Sequence, residues 1–370
     1  MMLPRPLEAF PWARLPFALV FVGAAIAGIG LHTAPERTWL NFLVGGFYLL
    51  SLAGSAMFFV SSQVLSGARW SASLRTVPDA LMLLFPAAAA LMLALVFGRR
   101  AVYSDIAGDL GHELAGRARY LAPPLVLLRL VATLAVWGAL AWRLRRHEKL
   151  VRYAALFVVF FALSFTVLSY DWLLCLEPRW FSTMFAVYAF AGAFVQGLAA
   201  ITLVVVLLAK QGRLGVGRSQ LHDLGKLLFA FSTFWAYIWL CQYLLIWYGD
   251  IPEEVTYYVR RTSGSWLYLF ALDVVVNWLV PFLALLSARA KQNPRVLSVV
   301  SMVLLVGHWL DLYVMVMPSR WPVPRIGVLE LAVPMFLAAL SYIVLFGALS
   351  RAAPVVAGPA VAGVNGHRHA

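Results

Sequence analysis

The feature that most restricts the fold of this chain is a set of ten apolar runs, most of them near or above the ~20 residues that cross a ~30 Å hydrocarbon core as a helix. They cover about residues 15–32, 39–64, 79–97, 123–142, 151–174, 181–209, 223–248, 266–288, 296–317 and 328–349. The runs are continuous rather than alternating in steps of two, which argues for helices and against a transmembrane barrel. Composition agrees, since 63% hydrophobic and 12% charged residues in a chain of 370 would leave a water-soluble domain with an oily surface. The expected fold is an all-α integral membrane protein with ten transmembrane helices.

An even number of spans puts both termini on one side. Of the 29 Lys and Arg, 18 flank the termini side, 10 flank the other, and Arg129 lies inside a span. The positive-inside rule then places both termini in the cytoplasm. The net charge of +13 needs no nucleic-acid partner, because basic loops beside an anionic leaflet account for it. The N-terminal MMLPRPLEAFPWARLPFALV has no convincing small-residue cleavage site and reads as the approach to a first spanning helix. Cys175 and Cys241 stand in separate spans without a CxxC or CxxCH pattern, so disulfide, zinc and attached c-haem are unsupported and packing roles are expected.

Landmarks recur along the chain. Asp171 stands seven residues before Pro178 in SYDWLLCLEPRW, and Asp311 seven before Pro318 in HWLDLYVMVMPSRW, an offset of 140 between the aspartates. Asp79 opens the third run and Asp223 the seventh, and Leu128-Arg129 matches Leu272-Asp273, both at an offset of 144. Runs two to five and six to nine therefore read as two copies of a four-helix unit, residues 38–178 and 179–320. Spans one and ten flank them within a single transmembrane domain, 1–350, followed by a Pro-, Ala- and Gly-rich tail, 351–370, expected to be disordered. The segment 99–122, with its mixed charges, is either a docking loop for another protein or a solvated connector.

Set apart from those at span ends, five ionisable residues lie well inside spans: Arg129, Asp171, Asp273, His308 and Asp311. At ~1.5 Å per residue all five fall in one layer, about 5 to 14 Å inside the end opposite the termini. Each charge costs about 2.5–3.5 kcal/mol at the bilayer centre and somewhat less here, so each needs a partner or a task. Arg129 and Asp171 can neutralise each other as a pairing or orienting couple. Asp273, Asp311 and His308 put two acids beside one base, an arrangement suited to proton transfer if the three meet. Otherwise each acid is satisfied separately by a tyrosine, a tryptophan or water. Asp79 and Asp223 read as helix N-caps or proton inlets. Aromatics crowd the same layer in 228–254, where Trp235, Tyr237, Gln242 and Tyr243 would suit the wall of a quinone site, although interfacial belts use Trp and Tyr as well. His308 is the one histidine deep in a span, too few for a two-histidine haem, and no iron-sulfur cysteine set or nucleotide loop is present, so no covalently bound cofactor is expected.

PRWFSTMFAVYAFAGAF (178–194), GKLLFAFSTFWAYIWLCQYLLIWYGDIPEE (225–254) and GHWLDLYVMVMP (307–318) resemble the second quinone-type membrane subunit (ActF) of bacterial alternative complex III, in the NrfD-like, polysulfide-reductase membrane-subunit family. The likeness spans most of 150–320. It implies ten helices in two four-helix bundles, a bacterial inner-membrane location and a part in quinol:cytochrome c oxidoreduction in the respiratory chain. It also implies partners: a multihaem cytochrome c subunit, an iron-sulfur subunit, a monohaem cytochrome c subunit, a sister NrfD-like membrane subunit, lipid and a terminal oxidase. Haems and iron-sulfur clusters then reside in those subunits, and this chain is expected to bind quinol, to move protons, or both. Two rival readings are a proton-coupled secondary transporter and a structural partner of the sister subunit with no site of its own.

Overall fold

A computed structural model describes residues 14–103, 115–146 and 150–351. Residues 104–114 of the 99–122 segment, read as a docking loop or a connector, and residues 352–370 of the tail lie outside the described residues. Ten helices have the length and apolarity to span a membrane: α1 Leu15–Thr33, α2 Pro35–Leu65, α3 Thr76–Val102, α4 Pro123–Arg145, α5 Leu150–Leu176, α6 Phe185–Lys210, α7 Arg218–Gly249, α8 Trp266–Ala284, α9 Pro294–Ser319 and α10 Val328–Arg351. The described chain is an all-α integral membrane protein.

Local sequence sets the helix ends. Prolines occupy the first turn of α1, α2, α4 and α9, where the missing N–H costs nothing and the ring presets φ. Asn293 caps α9 by accepting from the Arg295 N–H at 2.9 Å. α7 ends at Asp250, a non-glycine residue held at φ 47°, and the chain turns there into a short amphipathic connector helix, Pro252–Thr262. Asp79 and Asp223 are not caps. Each lies within its helix and pairs with a neighbouring cation, Asp79 with Arg75 at 2.8 Å and Asp223 with Lys226 at 2.7 Å, because α3 and α7 start a turn earlier than their apolar runs.

The contacts between helices repeat as the sequence does. α2 packs on α3, α3 on α4, α4 on α5 and α5 back on α2; α6, α7, α8 and α9 close a second ring in the same order. α2 and α6 lie against each other at the centre, and their cross-contacts correspond, α2 with α9 and α6 with α5. This seam is why 89% of the apolar window of α2 and 83% of that of α6 is buried, against 17% of α1 and 22% of α8. Small residues permit it: a Cβ on Gly197 would sit 2.2 Å from Ser55 Cβ. Ser55 donates to Ala193 O and Gln196 to Tyr48 O, and Tyr48 donates to Leu305 O. Spans one and ten lie together beside the first ring. α1 and α10 pack on each other, Gly23 against Phe336, and α10 also rests on α2 and α3.

α8 is irregular in its middle. Pro281 has no N–H for the Asn277 carbonyl, and residues Val275–Leu279 of α8 relax into a π-turn. That turn carries Asn277 into the core of the second ring, fully buried.

Candidate functional site

In the first ring, α4 and α5 bring Arg129 and Asp171 together as a bidentate pair, Nε to Oδ2 at 2.7 Å and Nη2 to Oδ1 at 3.0 Å. Asp171 is buried, while Arg129 keeps part of its guanidinium at the surface. The same Nη2 donates to Tyr120 O at 2.9 Å, and the guanidinium carbon lies 4.0 Å from the centre of the Tyr120 ring. Tyr120 belongs to the connector between α3 and α4, and burial pushes its hydroxyl up to about 12. It therefore remains a neutral donor at any physiological pH.

The corresponding positions of the second ring hold Asp273 on α8 and Asp311 on α9, both buried. Tyr188, on the second turn of α6, donates a short hydrogen bond to Asp311 Oδ1, and Trp235 Nε1 on α7 donates to Oδ2 at 3.1 Å. His308, one turn before Asp311, places Nδ1 3.5 Å from the same Oδ2, a loose contact, and its Nε2 has no partner among the described residues. Asp273 accepts from Asn277 Nδ2 at 2.7 Å. Its Oδ2 has no hydrogen-bond partner among the described residues, and Asp311 lies near enough for the two carboxyls to interact electrostatically. Gly192 of α6 makes room for the group: a Cβ there would lie 3.0 Å from Asp311 Oδ2 and 3.4 Å from both His308 Nδ1 and Trp235 Nε1.

Two small cavities, each about 10 Å³ and so large enough for one water, adjoin this cluster. One lies beneath the connector helix, bordered by Tyr188, Tyr257, Tyr258 and Arg261. The other lies at the seam between rings, bordered by His308, Asp311, Ser51 and Gln196. The Tyr188–Asp311 hydrogen bond joins the wall of the first to the wall of the second. No cluster of three His, Cys, Asp or Glu side chains is placed to hold a metal among the described residues.

The four residues expected to wall a quinone site do not share a pocket. Trp235 is buried on Asp311, and Tyr237 is 61% exposed on the outer face of α7. Tyr243 packs among Trp239, Tyr258 and Phe270, and Gln242 lies on the buried face with both amide atoms unpartnered. Residues 235 and 237 point to opposite sides of a helix that turns ~100° per residue. Nearness in sequence misleads here.

The five charges expected in the spans are joined by three buried ones that the sequence reading missed. Glu177, next to Pro178, accepts from Arg260 at 2.7 Å and from Arg261 at 3.3 Å. Arg261, 1% exposed, also donates to the carbonyls of Tyr257, Val314 and Met315, and its guanidinium carbon lies 3.4 Å from the centre of the Tyr257 ring. Trp180 stacks on the other side of that ring, centroids 4.0 Å apart, and burial pushes the Tyr257 hydroxyl up to about 12. The third, Glu330 at the start of α10, is held by Arg37, Asn41 and the Gly327 N–H. All three sit at span ends or in the connector, where a charge ordinarily signals solvent. No family model matches the chain, and no curated protein matches its sequence.

Proposed function

We propose that this chain is an integral membrane subunit of a bacterial quinol:cytochrome c oxidoreductase of the alternative complex III type, where it moves protons through its second helix ring. The observation that carries the reading is the buried Asp273–Asp311 pair with Tyr188 and His308 against it and a water-sized cavity on either side. Two carboxyls meeting in a dry site avoid holding two negative charges at once, so the pair favours one shared proton. Tyr188 and His308 are positioned to pass a proton between that pair and the waters. The segments 178–194, 225–254 and 307–318 support the family assignment, and the Lys and Arg distribution supports cytoplasmic termini. On this reading the acid site lies toward the outer leaflet, and the electrons travel through haems and iron-sulfur clusters of the partner subunits. Since Trp235, Tyr237, Gln242 and Tyr243 do not line one pocket, no step is assigned to a quinone held by this chain.

The π-turn of α8 beside a buried acid favours a second reading, a proton-coupled transporter, because carriers place broken helices at their ion sites. One preparation separates the two. The tagged chain, extracted in mild detergent, is expected to bring a c-type haem spectrum and quinol-driven cytochrome c reduction with it. An intact, haem-free chain purifying alone would reverse the choice. Within the assembled complex, Asp311→Asn is expected to abolish proton-coupled turnover. Unaltered coupling would remove the site.

A further inference from the structure

A groove of about 270 Å³ runs along the end of α7 away from the termini, between Leu245 and Ile246 on one side and Phe181, Ser182, Thr183 and Met184 of the α5–α6 turn on the other, with Gln242 and Glu254 completing it. Gln242 is 2% exposed, and neither its Nε2 nor its Oε1 has a partner among the described residues. A carboxamide has two donors and an acceptor with two lone pairs, and burying it unmatched is costly. Glu254, at the rim, carries no ion pair among the described residues. Leu245 is 66% and Phe181 53% exposed, so the groove opens on the lipid-facing side of the ring.

Depth narrows the chemistry. α7 has 32 residues and is therefore ~48 Å long, more than the ~30 Å hydrocarbon core and about the full bilayer with headgroups. Gln242 lies seven residues before the end of α7, ~10 Å inside it. That is the layer of the glycerol esters. Phe181 also walls a second apolar groove of about 360 Å³ with Tyr170, Leu174 and Cys175, which gives a two-chained amphiphile a course on either side of the ring.

We infer that this groove holds one ethanolamine phospholipid, with Gln242 hydrogen-bonded to an ester carbonyl and the Glu254 carboxylate facing the ammonium. An anionic headgroup is disfavoured by Glu254. A quinone ring finds one aromatic wall, Phe181, and nothing to match the charge at the rim. Water alone would serve the polar edge at Ser182, Thr183, Gln242 and Glu254 but leave the apolar lining of Phe181, Met184, Leu245 and Ile246 without a partner. The inference rests on the membrane setting and is independent of the proton-transfer reading.

The test is native mass spectrometry and lipid analysis of the full-length chain, in whatever assembly it purifies with, together with its melting temperature in nanodiscs of phosphatidylethanolamine, phosphatidylcholine or phosphatidylglycerol. The wild type is expected to retain about one ethanolamine lipid and to melt several degrees higher in phosphatidylethanolamine than in the other two. Gln242→Leu is expected to lose the retained lipid several-fold, and Glu254→Gln, at the exposed rim, to fold normally and erase the headgroup preference. Equal melting in all three lipids overturns the inference, as does a retained quinone. A Gln242→Leu protein that melts higher than wild type with its lipid content unchanged also overturns it, since the amide would then be unmatched in the native state.

Discussion

The two helix rings share one scaffold and differ in where an arginine stands. In the first, a tyrosine from the α3–α4 connector, Tyr120, stacks on Arg129, which also neutralises Asp171. In the second, a tyrosine from the α7–α8 connector, Tyr257, stacks on Arg261, but that arginine comes from the connector itself and pairs with Glu177 of the neighbouring ring. The position matching Arg129 holds Asp273 instead. Asp311 is thus left with neutral donors, Tyr188 and Trp235, and a second acid. A closed ion pair fixes two charges, whereas two buried acids side by side favour one shared proton. One cation's placement thus decides whether the buried acid of a ring is paired with a charge or with another acid.

The largest effect should come from breaking the first ring. Arg129→Met leaves Asp171 buried and uncompensated, which costs about 3–5 kcal/mol for a pair of this kind. Part of Arg129 is exposed, which puts the expected loss at the low end, read as a drop in melting temperature and in yield of folded protein. Adding Asp171→Leu should restore most of it, because the pair as a whole contributes little beyond its own desolvation. If Arg129→Met alone is silent, the two rings do not differ in how they hold their buried acids.

A smaller and more selective effect is expected at one glycine on each central helix, Gly54 on α2 and Gly192 on α6. A Cβ on Gly192 presses on Asp311, His308 and Trp235, whereas a Cβ on Gly54 presses on the rings of Trp137 and Phe161 at 2.9 and 3.0 Å. Overpacking of this size costs about 1–3 kcal/mol, so both alanine variants should lose comparable stability. Only Gly192→Ala should alter the pH dependence of proton-coupled turnover in the assembled complex. Equal effects on turnover would mean that the second-ring cluster is packing and no more.

The ten spans, the repeat and the pairing of Arg129 with Asp171 were legible in the sequence because each rests on a spacing: length against bilayer thickness, an offset of 140 to 144, an unpaired charge in oil. The cluster around Asp311 was legible only in part. Asp273 and His308 were readable, but Tyr188 comes from another helix and its role depends on the depth at which α6 starts. Asn277 became visible only through the π-turn that Pro281 induces. Glu177, Arg261 and Glu330 escaped notice because burial at a span end is decided by what folds over it, here the connector helix and α10. The proposed quinone wall failed to assemble for a reason the helical period already contained.

The smallest effect separates the two roofs. Burial raises both tyrosines to about 12, above the ~10 of an unfolded chain. Between those values the folded state holds protons that the unfolded state has released, so stability falls as pH rises through that window and is unaffected by these groups below it. The melting temperature should be flat with respect to them up to about pH 10 and decline beyond. Tyr257 is 4% exposed and Tyr120 41%, so Tyr257→Phe should flatten the alkaline decline more than Tyr120→Phe does. If the two variants flatten it equally, the connector helix does not seal the second ring more tightly than its counterpart seals the first, and the cavity beneath it is open to bulk water.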